Sequence, residues 1–267
     1  MLSLIISVAA ALLVFGFTQD QVGSGGAIGC GLVVFIIVWG GIFWSLRKKI
    51  NAINQKIQQV MTEAQGKINR MMQQFQRRPN GNVKLMQQQL EKEQFAAIRQ
   101  ALAITDEMER FYKWNLLMKR QNATIKMMFY YQLKEFDKVD EFAKTALFFD
   151  ARSIAMHLAR LFKRNEIEKL DKFYKSKCRR LKNDDCALAV STYAWIMLKL
   201  NQPEKAFNAL NAAKKRSNNP VVLQNYEALA NKKIKNFSNA NLGDSWYALY
   251  LEEPKIRQQR IVQQQYR

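Results

Sequence analysis

The spacing of apolar side chains takes three forms along the chain. From Ala27 to Leu46, twenty uncharged residues (AIGCGLVVFIIVWGGIFWSL) run without a break and stop at Arg47-Lys48-Lys49. About 20 apolar residues at 1.5 Å each cover a ~30 Å hydrocarbon layer, so this stretch predicts a membrane-spanning helix with a basic stop. Trp44 falls where indoles favour the headgroup layer, Trp39 lies a little deeper, and the three cations mark that side as cytoplasmic. Met1 to Phe17 (MLSLIISVAAALLVFGF) is a second apolar run, at the short end of what spans. It lacks the basic start and polar cleavage region of a secretory signal, which predicts a retained helix. With Thr18 to Gly26 as a short connector, the two runs predict a transmembrane hairpin, with the amino terminus and the large domain both cytoplasmic. Ser3, Ser7 and Ala11 recur every four residues, as do Gly25 and Gly29. Small residues at that spacing let helices approach closely in lipid, within the hairpin or between two copies.

After the basic stop the pattern narrows to one stripe. Ile50, Ile53, Ile57, Val60, Ala64, Ile68, Met71 and Phe75 step by three or four, with Gln, Lys and Asn opposite. That is the signature of a long amphipathic helix, close to a coiled-coil seam with one stutter near Ala64. Pro79-Asn80-Gly81-Asn82 signals a turn. Val83, Met86, Leu90, Ala97 and Ala101 then begin a second amphipathic helix. It either folds back on the first as a helical hairpin or joins a self-associating coiled coil.

From about Ala123 a period appears. Four segments, YYQLKEFDKVDEFAKTA, LARLFKRNEIEKLDKFYKSKC, YAWIMLKLNQPEKAFNALNAA and YEALANKKIKNFSNANLGDSWYA, each read as helix, polar turn, helix. With Phe136, Ile167, Pro203 and Phe237 opening the second helices, the steps are 31, 36 and 34 residues. The third unit carries Ala194 in its first helix, Pro203-Glu204-Lys205-Ala206 at the start of its second, then Leu210 and Ala213. The fourth has Ala228, Phe237 and Ala240, and the first has Tyr130, Phe136, Ala146 and Leu147. On these residues the segment resembles a tetratricopeptide-repeat array over about half the chain. Met127, Val139, Leu158 and Leu170 stand where the family uses small residues at helix crossings, so the first two units depart from its pattern. The resemblance implies a concave groove lined by the first helix of each unit. Carried onto this sequence, Met128, Tyr131, Phe162, Trp195, Leu198, Asn225 and Lys232 face it, as contacts for a protein or peptide partner. Phe162 and Trp195 are equally placed to pack between neighbouring units.

Charge adds a second candidate surface. Asp20 is the only charged residue before Arg47, so the remainder holds all 42 Lys and Arg against 21 acids. Such an excess draws the domain to anionic lipid or nucleic acid and makes the attraction salt-sensitive, although exposed lysines also simply solvate helices. Lys172, Lys175, Arg179 and Lys182 step by three and four as if on one helix face, and Lys214, Lys215 and Arg216 close the next second helix. Together they predict a positive strip for phosphate groups, although cations at helix carboxyl ends also answer the helix dipole. Apart from charge, nothing in the sequence indicates a nucleic-acid reader.

Reactive chemistry has little to draw on. His157, the only histidine, lies among Ile154, Met156 and Leu158 as a core or groove-edge residue. Cys30, Cys178 and Cys186 are spaced neither for a disulfide framework nor, with one histidine, for zinc. Asp184-Asp185 reads as the cap region of the next helix. Asn122-Ala123-Thr124 and Asn236-Phe237-Ser238 fit the glycosylation pattern but go unused in a cytoplasmic domain. The tail after Pro254 is polar and basic and predicts a frayed or disordered end. The sequence therefore predicts an all-α protein in four parts: a transmembrane hairpin over 1–46, a stalk over 47–122, a repeat domain over 123–253 and a basic tail over 254–267. The expected role is a scaffold in the plasma or inner membrane, not an enzyme, with no cofactor or metal. Self-association would run through the transmembrane or stalk helices.

Overall fold

The computed structural model describes residues 1–77, 83–115 and 117–254. The Pro79–Asn82 turn and the tail beyond Pro254 lie outside them. The described residues form ten α-helices joined by turns, irregular segments and short 3₁₀ segments, with no strand among them. The chain divides into two compact units, one ending at Leu147 and one beginning at Phe148. The stretch expected as a single repeat domain over 123–253 is therefore shared between them.

The first unit is built on α1 (Leu2–Arg77), a helix long and apolar enough to cross a membrane. No loop separates its two apolar runs. The expected Thr18–Gly26 connector is helical except at Gly23, where φ 69° and ψ 169° break the helix. That conformation suits glycine, which has no Cβ to clash. Beyond the break the chain returns along itself: a Cβ placed on Gly31 would lie 3.2 Å from the Ala11 carbonyl oxygen. Ser7, Ala27 and Gly31 are buried in this contact, so small residues do let the arms approach. Leu2–Val22 is about 31 Å long and the stretch 24–46 about 34 Å, at 1.5 Å per residue.

Past Arg47 the same helix buries its stripe. All eight stripe residues from Ile50 to Phe75 are buried or half-buried. Helix α2 (Val83–Asp106) packs on α1, so the stalk folds back within the chain. Ile53 and Ile57 meet Ala101, Met108, Phe111 and Met118 in one core that also brings in α3 (Met118–Gln132). Helix α4 (Phe136–Ala143) completes the unit against α3. The chain after α4 is fastened back to α3 at Thr124, whose hydroxyl donates to the Leu147 carbonyl and accepts from the Leu147 amide. Lys126 is buried yet charged. Burial disfavours its ammonium, but hydrogen bonds to Asp106 and Glu109 (2.6 and 2.9 Å) outweigh that and hold its pKa above the usual lysine value.

The second unit contains α5 (Ala151–Lys163), α6 (Ile167–Lys177), α7 (Ala187–Lys199), α8 (Pro203–Lys214), α9 (Pro220–Ala230) and the one-turn α10 (Asp244–Tyr247). Asp150 caps α5 through the Ser153 amide, and Asn219 caps α9 through the Val221 amide. Helix α5 pairs with α6 and α7 with α8, while α7 packs on α5 and α9. Ala155, Ala159, Ala194, Ala206 and Ala213 are fully enclosed, and Leu158 and Leu170 fill the α5–α6 pair despite their size.

Candidate functional site

One turn recurs after the first helix of each of the four expected repeat units. Lys134, Asn165, Asn201 and Lys232 all have positive φ, between 55° and 61°. After each, an amide bonds back to the fifth carbonyl before it: Glu135 to Tyr130, Glu166 to Leu161, Gln202 to Met197 and Lys233 to Ala228. This is the Schellman ending, which satisfies carbonyls that a helix terminus otherwise leaves open. The fourth pair ends differently from expectation. Its turn is followed by Ile234, not Phe237, and by a 3₁₀ segment (Ile234–Asn236) instead of a full helix. Asn236, Ser238, Asn239 and Gly243 favour local hydrogen bonds and turns over helix, and Gly243 has φ 61°.

These turns define where the groove residues sit. Trp195 and Leu198 on α7, with Lys199, Ile234, Lys235, Phe237 and Tyr247, line a cavity of about 580 Å³. The Glu252 carboxylate closes one wall by accepting from the Trp195 and Trp246 indoles at 2.7 and 2.9 Å. The Lys199 ammonium lies 5.0 Å from the Trp195 ring. Lys232 borders a neighbouring cavity of about 610 Å³ with Phe207, Leu229 and Ile234. Ile234, half-exposed, belongs to both. Phe162 meets Trp195 edge to face at 5.9 Å. Asn225 is internal: fully buried, it donates to Asn239 Oδ1 and accepts from the Ser238 amide, fixing the segment that replaces the missing helix. Met128 and Tyr131 belong to the first unit, where Tyr131 is buried against Phe136 and Met128 is half-buried.

The basic strip is reorganised. Helix α6 stops at Lys177, so only Lys172 and Lys175 share its face, while Lys182 stands on extended backbone. The cause is apolar: Cys178 and Leu181 are buried and draw the chain inward. The Arg179 side chain lies outside the described residues. Lys214 and Lys215 are exposed, Lys214 over the Tyr226 ring at 4.1 Å. Lys175 and Arg216 meet in a pocket of about 400 Å³ with Lys205, Asn208 and the Tyr174–Tyr193 stack, whose rings are 3.6 Å apart. Asp171 accepts from Tyr193 and Lys205 at its edge. Lys205, which the sequence pattern marks only as part of the α8 start, reaches the pocket from the first turn of that helix.

Other candidates are enclosed. Burial pushes the Cys178 thiol up to about 12 and raises Cys186 as well, so both stay protonated and unreactive near neutral pH. His157 packs between Phe148 and Phe173, with ring centroids 4.8 and 4.6 Å away. Asp184 accepts from Ser217 and the Asn218 amide, tying the α8–α9 turn to the start of α7. Asn122 is buried and bonded to Thr105 and Tyr112, which closes it to glycosylation. Among the described residues no three His, Cys, Asp or Glu gather as a metal site. Comparisons with protein-family models, curated proteins and solved structures found no match to the chain.

Proposed function

We propose that this protein is a membrane-anchored helical-repeat scaffold that recruits a protein partner at the cytoplasmic face. Both arms of α1 cross the bilayer, with Gly23 at the far side and Arg47, Lys48 and Lys49 at the cytoplasmic headgroups. The repeats are divergent tetratricopeptide-like hairpins, a reading supported by the same left-handed turn at all four pairs. The observation that carries the recruiting role is the cavity beside Trp195 and Leu198. It combines open apolar surface at Ile234 with cations at Lys199 and Lys235 and acids at Glu252 and Glu253. An amphipathic partner segment would bury its apolar side there and pair its charges at the rim. Anchoring raises the local concentration of whatever docks.

A photo-crosslinking residue at Lys235 of the full-length protein in its own membrane tests this directly. A discrete protein adduct that survives a high-salt wash and is lost in Ile234→Glu supports the groove. Adduct formation indifferent to Ile234→Glu would overturn it. A second reading rests on the Lys175, Lys205 and Arg216 pocket, which suits a phosphate-bearing lipid or nucleic acid. It predicts bound polyanion that leaves with salt and with Lys175→Glu.

A further inference from the structure

Two cavities adjoin at Arg47, in the first unit, and share that residue as a wall. The larger, about 650 Å³, is lined chiefly by apolar side chains, among them Leu4, Trp39, Phe43, Leu46, Ile50 and Leu117. The smaller, about 510 Å³, is bounded by the basic and amide side chains Arg47, Lys48, Asn51 and Gln55 together with Trp44 and Ala52. The first arm shapes the apolar cavity because its start is fastened to the segment before α3. The Leu2 amide donates to the Lys113 carbonyl at 3.0 Å and the Ser3 hydroxyl to the Trp114 carbonyl at 2.9 Å. No acid occurs from Gln21 to Thr62, and neither Arg47 nor Lys48 has a carboxylate partner among the described residues.

We infer that the paired cavities hold one anionic phospholipid, its phosphate at Arg47 and Lys48 and an acyl chain in the Trp39–Phe43 cavity. The inference rests on the membrane reading of α1 above and identifies what binds beside that anchor. From Arg47 to Trp39 the helix rises about 12 Å, so the apolar cavity runs from the headgroup level into the hydrocarbon. A chain entering it leaves lipid for an equally apolar surface, and the ordering comes from the headgroup. There, two cations without a carboxylate partner, Lys48 lying 6.0 Å from the Trp44 ring centroid, meet a phosphate, with Asn51 and Gln55 able to donate to its oxygens. An uncharged amphiphile would fill the apolar cavity and leave both cations without an anion. A protein segment would have to enter at the level the bilayer itself occupies.

Native mass spectrometry of the full-length protein, released from vesicles of equal phosphatidylglycerol and phosphatidylcholine, reads the site. One retained phosphatidylglycerol per chain is expected, favoured over phosphatidylcholine. Arg47→Gln and Lys48→Gln should each cut that preference roughly fivefold. Leu117→Trp, which fills the cavity from an exposed position, should abolish retention with the charges intact. Lys214→Gln/Lys215→Gln, in the second unit, should change nothing. Equal retention of both lipids, or preference unchanged in Arg47→Gln and Leu117→Trp, would overturn the site. So would a dimer that forms through the cavity in place of lipid. Flotation of the same vesicles after an alkaline wash separates the two claims. Protein that floats but keeps no preferred lipid overturns the site alone, and protein left behind overturns the membrane reading and the site with it.

Discussion

Helix α1 obeys opposite rules on either side of Arg47. Before it, the side chains facing outward are Leu32, Val33, Ile36 and Ile37, each more than half exposed. After it, the outward residues are Lys, Gln and Asn, while Ile53 and Ile57 are sealed against α2 and α3. Helical propensity does not distinguish the two sides, because the helix runs unbroken from the residue after Gly23, through Arg47, to Arg77. What differs is the solvent each face is built for. In the lower half the hydrophobic effect gathers apolar groups inward, and in the upper half it has no such pull because the expected surroundings are themselves apolar.

The contrast breaks most sharply at matched isoleucines. Ile53→Ala should lower the stability of the first unit by about 2–5 kcal/mol, since a sealed site loses contacts and keeps a cavity. Ile37→Ala, whose side chain touches little protein, should leave the melting transition of the same preparation unchanged. Charge reverses the order. Ile37→Arg should oppose insertion by roughly 2.5–3.5 kcal/mol, visible as loss from alkali-washed membranes, whereas Gln58→Arg on the exposed lower face should insert normally. Gly31→Val tests the contact between the arms. Its Cβ would press on the Ala11 backbone at 3.2 Å, and overpacking of this kind costs roughly 1–3 kcal/mol. A distance label pair across the arms should report their separation.

The smallest effect concerns a charge buried on α3, in the first unit. Lys126 has a raised pKa in the folded unit, so its pairing with Asp106 and Glu109 stabilises the fold below the ordinary lysine value of 10.5. That contribution is lost as pH rises through the folded value. Thermal melts of the full-length protein should show an alkaline decline that Lys126→Met removes. A decline of equal size in the variant would assign it to other groups.

Much of this architecture was legible because it follows from periodicity. The stripe from Ile50 to Phe75 is buried or half-buried at every position, and the turns after Leu133, Arg164 and Leu200 fall where polar residues interrupt apolar helices. Tertiary choices were not legible. That Asn225 serves as an internal strut depends on Asn239, fourteen residues on, and on the failure of the last helix. The break at Lys177 depends on two apolar side chains, Cys178 and Leu181, turning inward within a run whose charges promised a continuous face. Gly23 is one of five glycines between Gly23 and Gly31, and local sequence does not say which of them takes the bend.

In the function proposed above, bilayer surrounds α1 down to Arg47 and water surrounds it beyond. Single spin labels stepped from Leu32 to Gln59 on the full-length protein in vesicles measure this directly, by collision with oxygen and with a water-soluble nickel chelate. The account predicts oxygen-dominated relaxation at Leu32, Val33, Ile36 and Ile37, a crossover near Arg47, and chelate-dominated relaxation at Gln55, Gln58 and Gln59. Chelate access at Ile36 and Ile37 equal to that at Gln58 would contradict it.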